Sequence, residues 1–205
     1  MTKKTLYALI TASIALLVPA PGRFAYGLVL TVLLLLLVTL GTVFRYGFEK
    51  LGLTQLVPAL LAIMLVSIVV FYKQLLILYS PFVALVMGFT LYLPALSALV
   101  ITTINHPSEK NLGMQVQHNA IATLKFSCIA LLFFLFRDVF GFGTITLPSH
   151  SGLWELQLIQ GTDKNYLGTF WASVPGSLIL TACATALLSF VSRHFAEVEE
   201  AIDAE

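Results

Sequence analysis

Between Arg23 and Arg45 the chain runs for 21 residues without a charged side chain, "FAYGLVLTVLLLLLVTLGTVF". A helix rises about 1.5 Å per residue and the hydrocarbon core of a bilayer is about 30 Å thick, so one such stretch is enough to cross it. Comparable stretches recur. Six are distinguished, at about 5–19, 24–44, 55–72, 75–104, 120–140 and 167–192. Only 10% of the residues are charged, against roughly a quarter in a soluble domain. That leaves too little polar surface to cover a water-soluble globule. The expected class is an all-α integral membrane protein, one domain over residues 1–205, with six transmembrane helices.

The first stretch, "MTKKTLYALITASIALLVPAPG", has the lysines, apolar run and small residues of a signal peptide. Because further spans follow, it is expected to be a retained, rather short membrane helix. The fourth stretch is too long for one straight helix and carries Pro81, Gly88 and Pro94. Proline removes a backbone donor and kinks a helix. A short or broken apolar segment at matching places in two halves is a sequence sign of an inverted repeat. Phe44-Arg45 closes the second span and Phe136-Arg137 closes the fifth, 92 positions later; "LIT" at 9–11 and "VIT" at 100–102 lie at nearly the same offset. Two inverted three-helix halves are therefore expected, at about 1–73 and 74–205, with short or broken first and fourth helices.

Arg137 and Asp138 stand side by side at the end of the fifth span, followed by Gly141, Gly143 and Thr144. An arginine there interacts favourably with the helix dipole and can snorkel to the headgroups. The pair is expected to be an interface anchor, with the glycines letting the chain turn. Asp138 is the one acid abutting a span; it is open to pairing with Arg137, to a neighbouring subunit, or to an ion path. The distribution of lysine and arginine favours cytoplasmic termini, with Lys125 snorkelling to the same side. The long segment 141–166 then lies outside, with "GLWELQL" along the interface.

Net charge is +1, which gives no reason to expect a nucleic-acid partner. Cys128 and Cys183 are far apart inside apolar runs and form no CxxC, so zinc and disulfide chemistry are not expected. His106, His118, His150 and His194 fall in loops or at span ends, and no Ser-His-Asp arrangement appears. The chain is not expected to be catalytic alone.

Four segments together resemble a known family: "YGLVLTVLLLLLVTLGTVFR", "FTLYLPALSALVITTIN", "FRDVFGFGTITLP" and "FWASVPGSLILTACATALLSFVSRHF". They are similar to the small six-span subunits of the Rnf ion-translocating electron-transport complex and of the sodium-translocating NADH:quinone reductase (Nqr), closest to the E-type subunit. The motif residues are Arg45, Pro94, Arg137, Asp138, Gly141, Gly143 and Thr144. The resemblance implies a multi-pass protein of the bacterial inner membrane, with cytoplasmic termini. The implied partners, besides the lipid bilayer, are other Rnf-like membrane subunits or an opposite-topology homologue. In that family two cysteines per subunit hold a binuclear iron–sulfur cluster near mid-membrane, because iron needs thiolate donors. Here those positions fall on Thr11 and Val100. The resemblance therefore implies a subunit that binds no iron–sulfur cluster or other cofactor alone and acts as scaffold or ion-path element.

Another class of function also fits six spans: a small-solute permease or a substrate-binding subunit of a vitamin-uptake system. Its polar candidates are Thr11, Ser13, Ser97, Thr102, Thr103 and Asn105, near the broken helices. The competing role for these side chains is hydrogen bonding between helices or back to their own helix.

Overall fold

The computed structural model describes residues 16–104, 111–150, 152–158 and 168–186. The chain passes through α1 (Phe24–Lys50), α2 (Val57–Tyr79), α3 (Pro81–Met87), a 3-10 turn (Gly88–Tyr92), α4 (Leu93–Ile104) and α5 (Leu112–Phe142). A hairpin of β1 (Thr144–Ser149) and β2 (Gly152–Gln157) follows. Then come a single turn, α6 (Thr169–Ala172), and α7 (Val174–Ala186). Four helical segments are long and apolar enough to cross a membrane: α1, α2, the α3–α4 segment over Pro81–Thr102, and α5. This is a mostly helical membrane protein. The first expected span lies outside the described residues for most of its length. Where the sixth is expected, the described residues carry α6 and the apolar α7, which is shorter than a span.

α1 is the central post. Of its most apolar stretch 56% is buried, against 22% for α2, so α2 is peripheral among the described residues. Leu30, Leu33, Leu34, Leu37 and Val38 of α1 are completely enclosed by α2, α4 and α5. α5 runs antiparallel to α1: Asp138 meets Phe24 at the start of α1, and Asn119 meets Thr42 near its end.

Lipid tails are as apolar as leucine, so helices in a bilayer are held by close packing and hydrogen bonds rather than by expulsion from water. Gly27 is where α1 and α5 approach most tightly, and a Cβ there would overlap the Phe134 ring and its Cβ. Gly27→Ala should therefore destabilise the protein by about 1–3 kcal/mol, the usual cost of overpacking a tight core. Thermal unfolding in detergent reads this directly; an unchanged midpoint would mean the crossing can spread at no cost.

Several boundaries differ from the sequence expectation. α2 continues to Tyr79, so Lys73 lies inside a helix and the division at 73/74 falls within α2. The stop comes from Pro81, which disfavours helical geometry at Ser80 and itself opens α3. Lys73 turns its ammonium toward the Tyr92 ring, 5.9 Å from the centroid. The fourth span breaks at Gly88, whose φ of +41 suits a residue without Cβ. Pro94 is the second residue of α4, a first-turn position that tolerates proline. α5 begins at Leu112 rather than near 120 and runs 31 residues, longer than a bilayer core requires.

The segment after α5 is not purely helical either. "TITLPS" pairs antiparallel with "GLWELQ", from Thr144 opposite Gln157 to Ser149 opposite Gly152. Threonines alternate with Ile145 and Leu147 along β1, which suits a two-faced strand.

Candidate functional site

Arg137 and Asp138 are both completely buried. They are not an interface anchor. Neighbouring residues on a helix diverge by about a third of a turn, and the two side chains serve different parts of the backbone.

The Arg137 guanidinium donates through Nη1 to the carbonyls of Leu17 (3.1 Å) and Ala20 (3.0 Å). Nη2 donates to Ala172 O (2.7 Å) and Nε, more weakly, to Trp171 O (3.4 Å). The first two carbonyls lie where the helix at Leu16–Leu17 gives way to "VPAPG"; the other two belong to α6, which stops at Ser173. Helix ends leave carbonyls without partners, and in a bilayer no water is at hand to take them. One rigid five-donor fork gathers carbonyls from both breaks. The Phe133 and Phe134 rings lie 5.8 and 5.9 Å from its central carbon.

Asp138 faces the start of α1. Its Oδ2 accepts from the backbone N–H of Phe24 (3.1 Å), the backbone N–H of Thr146 (2.8 Å) and the Thr146 hydroxyl (2.7 Å). Oδ1 accepts from the Thr144 hydroxyl (3.1 Å). Thr146 Oγ1 in turn accepts from Ala25 N–H (3.2 Å). Arg23, at the N-cap position of α1, makes no capping bond. The cap comes instead from a carboxylate more than a hundred residues away, which satisfies orphan donors and complements the positive end of the helix dipole.

The glycines complete the motif. Gly143 has φ +67 and closes α5 with a bond from its N–H to Val139 O, the usual left-handed helix stop. A Cβ on Gly141 would lie 2.8 Å from Ala172 Cβ, and one on Gly22 2.7 Å from Ala172 O. Gly141 thus serves a three-way approach of chain segments rather than a turn. Arg137, Asp138, Gly141, Gly143 and Thr144 come together in one buried junction.

Arg45 lies at the opposite end of the bundle. Its Nε pairs with Glu49 (2.8 Å), and Nη1 donates to the Thr102 carbonyl of α4. Arg45 and Glu49, with Thr54, Val57 and Pro58, edge an open notch of about 100 Å³. Deeper in, Asn119 Nδ2 donates to Thr42 Oγ1 (3.0 Å) and Thr123 Oγ1 to Asn119 O (2.7 Å). The first of these bonds joins α1 to α5, and the second folds back along α5.

The remaining candidates are dispersed. Val100 is half-buried on α4, Pro94 is buried at its start, and Cys128 and Cys183 are free and exposed on α5 and α7. Thr11 lies outside the described residues, as do Ser13, Asn105, His106, His194 and the side chain of Thr103. Valine has no donor atom for iron, so the family's cluster site does not fit at Val100. Among the described residues no three His, Cys, Asp or Glu side chains gather as a metal site. Thr102 bonds back to Ala98 O (2.8 Å), and Ser97 is buried with a partner. His118 is exposed on α5, and His150 Nδ1 sits 2.6 Å from Tyr79 O.

Sequence reasoning missed Thr146 and the carbonyls at 17–20 and 171–172. A signal for the former was present: "TIT" after the glycines places two hydroxyls on one strand face. Compared with known proteins, the chain matches no family model and no curated protein.

Proposed function

We propose that this chain is a non-catalytic scaffold subunit related to the Rnf and Nqr small membrane subunits, without an iron–sulfur cluster of its own. It would sit in a bacterial inner membrane with cytoplasmic termini, as six spans in two inverted halves that meet near Ser80. One observation carries this reading. Arg45, closing α1 in the first half, donates to the Thr102 carbonyl on the broken span of the second. Arg137, near the end of α5 in the second half, donates to Leu17 and Ala20, at the end of the short span of the first. Each half thus uses the arginine of its long helix to hold carbonyls of the other half's interrupted one, at opposite ends of the bundle. That is the relation expected of an inverted pair.

The scaffold role, rather than an ion path, is favoured by the state of Asp138. Its two oxygens accept from four protein donors and are closed to solvent. A carboxylate that binds a passing cation must be open to it.

Purification from native membranes in mild detergent, with mass-spectrometric identification of what accompanies the chain, is the test. Flavin-bearing and iron–sulfur subunits of an electron-driven pump should copurify in fixed ratio. Recovery of the chain alone, or with unrelated proteins only, would remove the proposal.

A further inference from the structure

We infer that the outer face of the β1–β2 hairpin is a lipid-binding surface, seated at the boundary between headgroups and acyl chains. The inference rests on the membrane character of the bundle and not on the family reading.

Antiparallel pairing sorts the hairpin into two faces. Ile145 is opposite Leu156, and Leu147 opposite Trp154; since side chains alternate along a strand, these four share one face. The other face carries Thr144, Thr146, Leu153 and Glu155. That inner face meets the bundle through four of its side chains. Thr144 and Thr146 hold Asp138, Leu153 packs on the core, and Glu155 pairs with Arg23. Among the described residues the outer face leaves Trp154 56% and Leu156 46% exposed, with Ile145 and Leu147 half-buried beside them.

The depth of the hairpin is set by its attachments. It starts at the end of α5, crosses the start of α1 through Ala25 and Thr146, and ends at the α2–α3 junction, where the Ser80 hydroxyl donates to Ser149 O (2.8 Å). Three such points at helix ends make it lie across the bundle, along the membrane plane. The charge-free run of α1 begins at Phe24, so the hydrocarbon boundary passes within about a turn of these points. Exposed aromatic rings stand at two of these helix ends: Tyr79 and Phe82 at the α2–α3 junction, Phe140 and Phe142 at the end of α5. Gly152 at the hairpin turn lies beside Phe82, and Arg23 stacks over Phe142, 4.8 Å from its centroid. Trp154 therefore continues an aromatic girdle, the position where amphipathic rings partition between headgroup and acyl chain.

The chain has two tryptophans, Trp154 and Trp171. The full-length Trp171→Phe protein, reconstituted in phosphatidylcholine vesicles, leaves Trp154 as the only indole. Its emission should be blue-shifted. It should lose intensity when the lipid is brominated near the headgroup, lose less when bromines sit at the chain ends, and barely respond to aqueous iodide. If Trp171→Phe fails to fold, the difference between wild type and Trp154→Phe isolates the same signal. Quenching by iodide without quenching by brominated lipid would place the face in water. Quenching by neither would place it under protein. Either result overturns the inference.

Discussion

Arg137→Met should lower stability by about 3–5 kcal/mol, because it strands several buried carbonyls that share one charged donor. Methionine nearly fills the space and removes the desolvation cost of the charge. It supplies no donor, however, so the carbonyls of Leu17, Ala20, Trp171 and Ala172 lose their partner at two chain breaks. A hydrogen bond with one charged partner is worth about 1.5–3 kcal/mol net, and a buried acceptor left empty costs more than the bond it lost. Unfolding followed by circular dichroism in detergent or mixed micelles checks the size. Arg137→Lys should recover only part of the loss, because an ammonium cannot span both breaks as the planar fork does. A methionine variant with an unshifted midpoint would show that the breaks find other donors.

Asp138→Ala comes next, with an expected cost of about 3 kcal/mol from donors stranded without an acceptor. The lesion is local and predictable in place. The amides of Phe24, Ala25 and Thr146 should exchange hydrogen faster, because the first turn of α1 and the hairpin lose their shared cap. Asp138→Asn should cost less, about 1 kcal/mol, since an amide oxygen can keep the three donors at Oδ2 while the Thr144 hydroxyl turns to accept from the new amide. Exchange that rises in the hairpin but not at Phe24 would show that α1 is capped by something else.

Much of the fold was legible because the bilayer enforces it. The expected span 24–44 lies wholly inside α1, and proline and glycine foretold an interrupted fourth span. Positions of charges were a poorer guide to helix ends. Lys73 looked like a terminus, but its long stem lets it sit within a helix and reach a ring, so α2 ran on to the proline that stops it. The hairpin was hidden because "TITL" and "LWEL" are too short to outweigh a long apolar background. Arg137 and Asp138 were the hardest. A charged pair at the end of an apolar run fits a snorkelling anchor as well as a buried clamp. What decides between them is the set of backbone groups they meet, and most of those lie at residues 17–25 and 171–172, far away in the chain.

That separation has a consequence for how the protein is made. Residues are synthesised in order, so Leu17 and Ala20 leave the ribosome well before Arg137, and Ala172 follows last. Until then the carbonyls of Leu17 and Ala20 lack the Arg137 donor, and the start of α1 lacks the Asp138 cap. The N-terminal segment must therefore remain near water or the insertion machinery while the later helices arrive. Its seating against Arg137 should come after the later helices are in place, although it precedes them in the chain. A chain truncated before Arg137 should leave that segment accessible to water, whereas one extending past Ala172 can close over it.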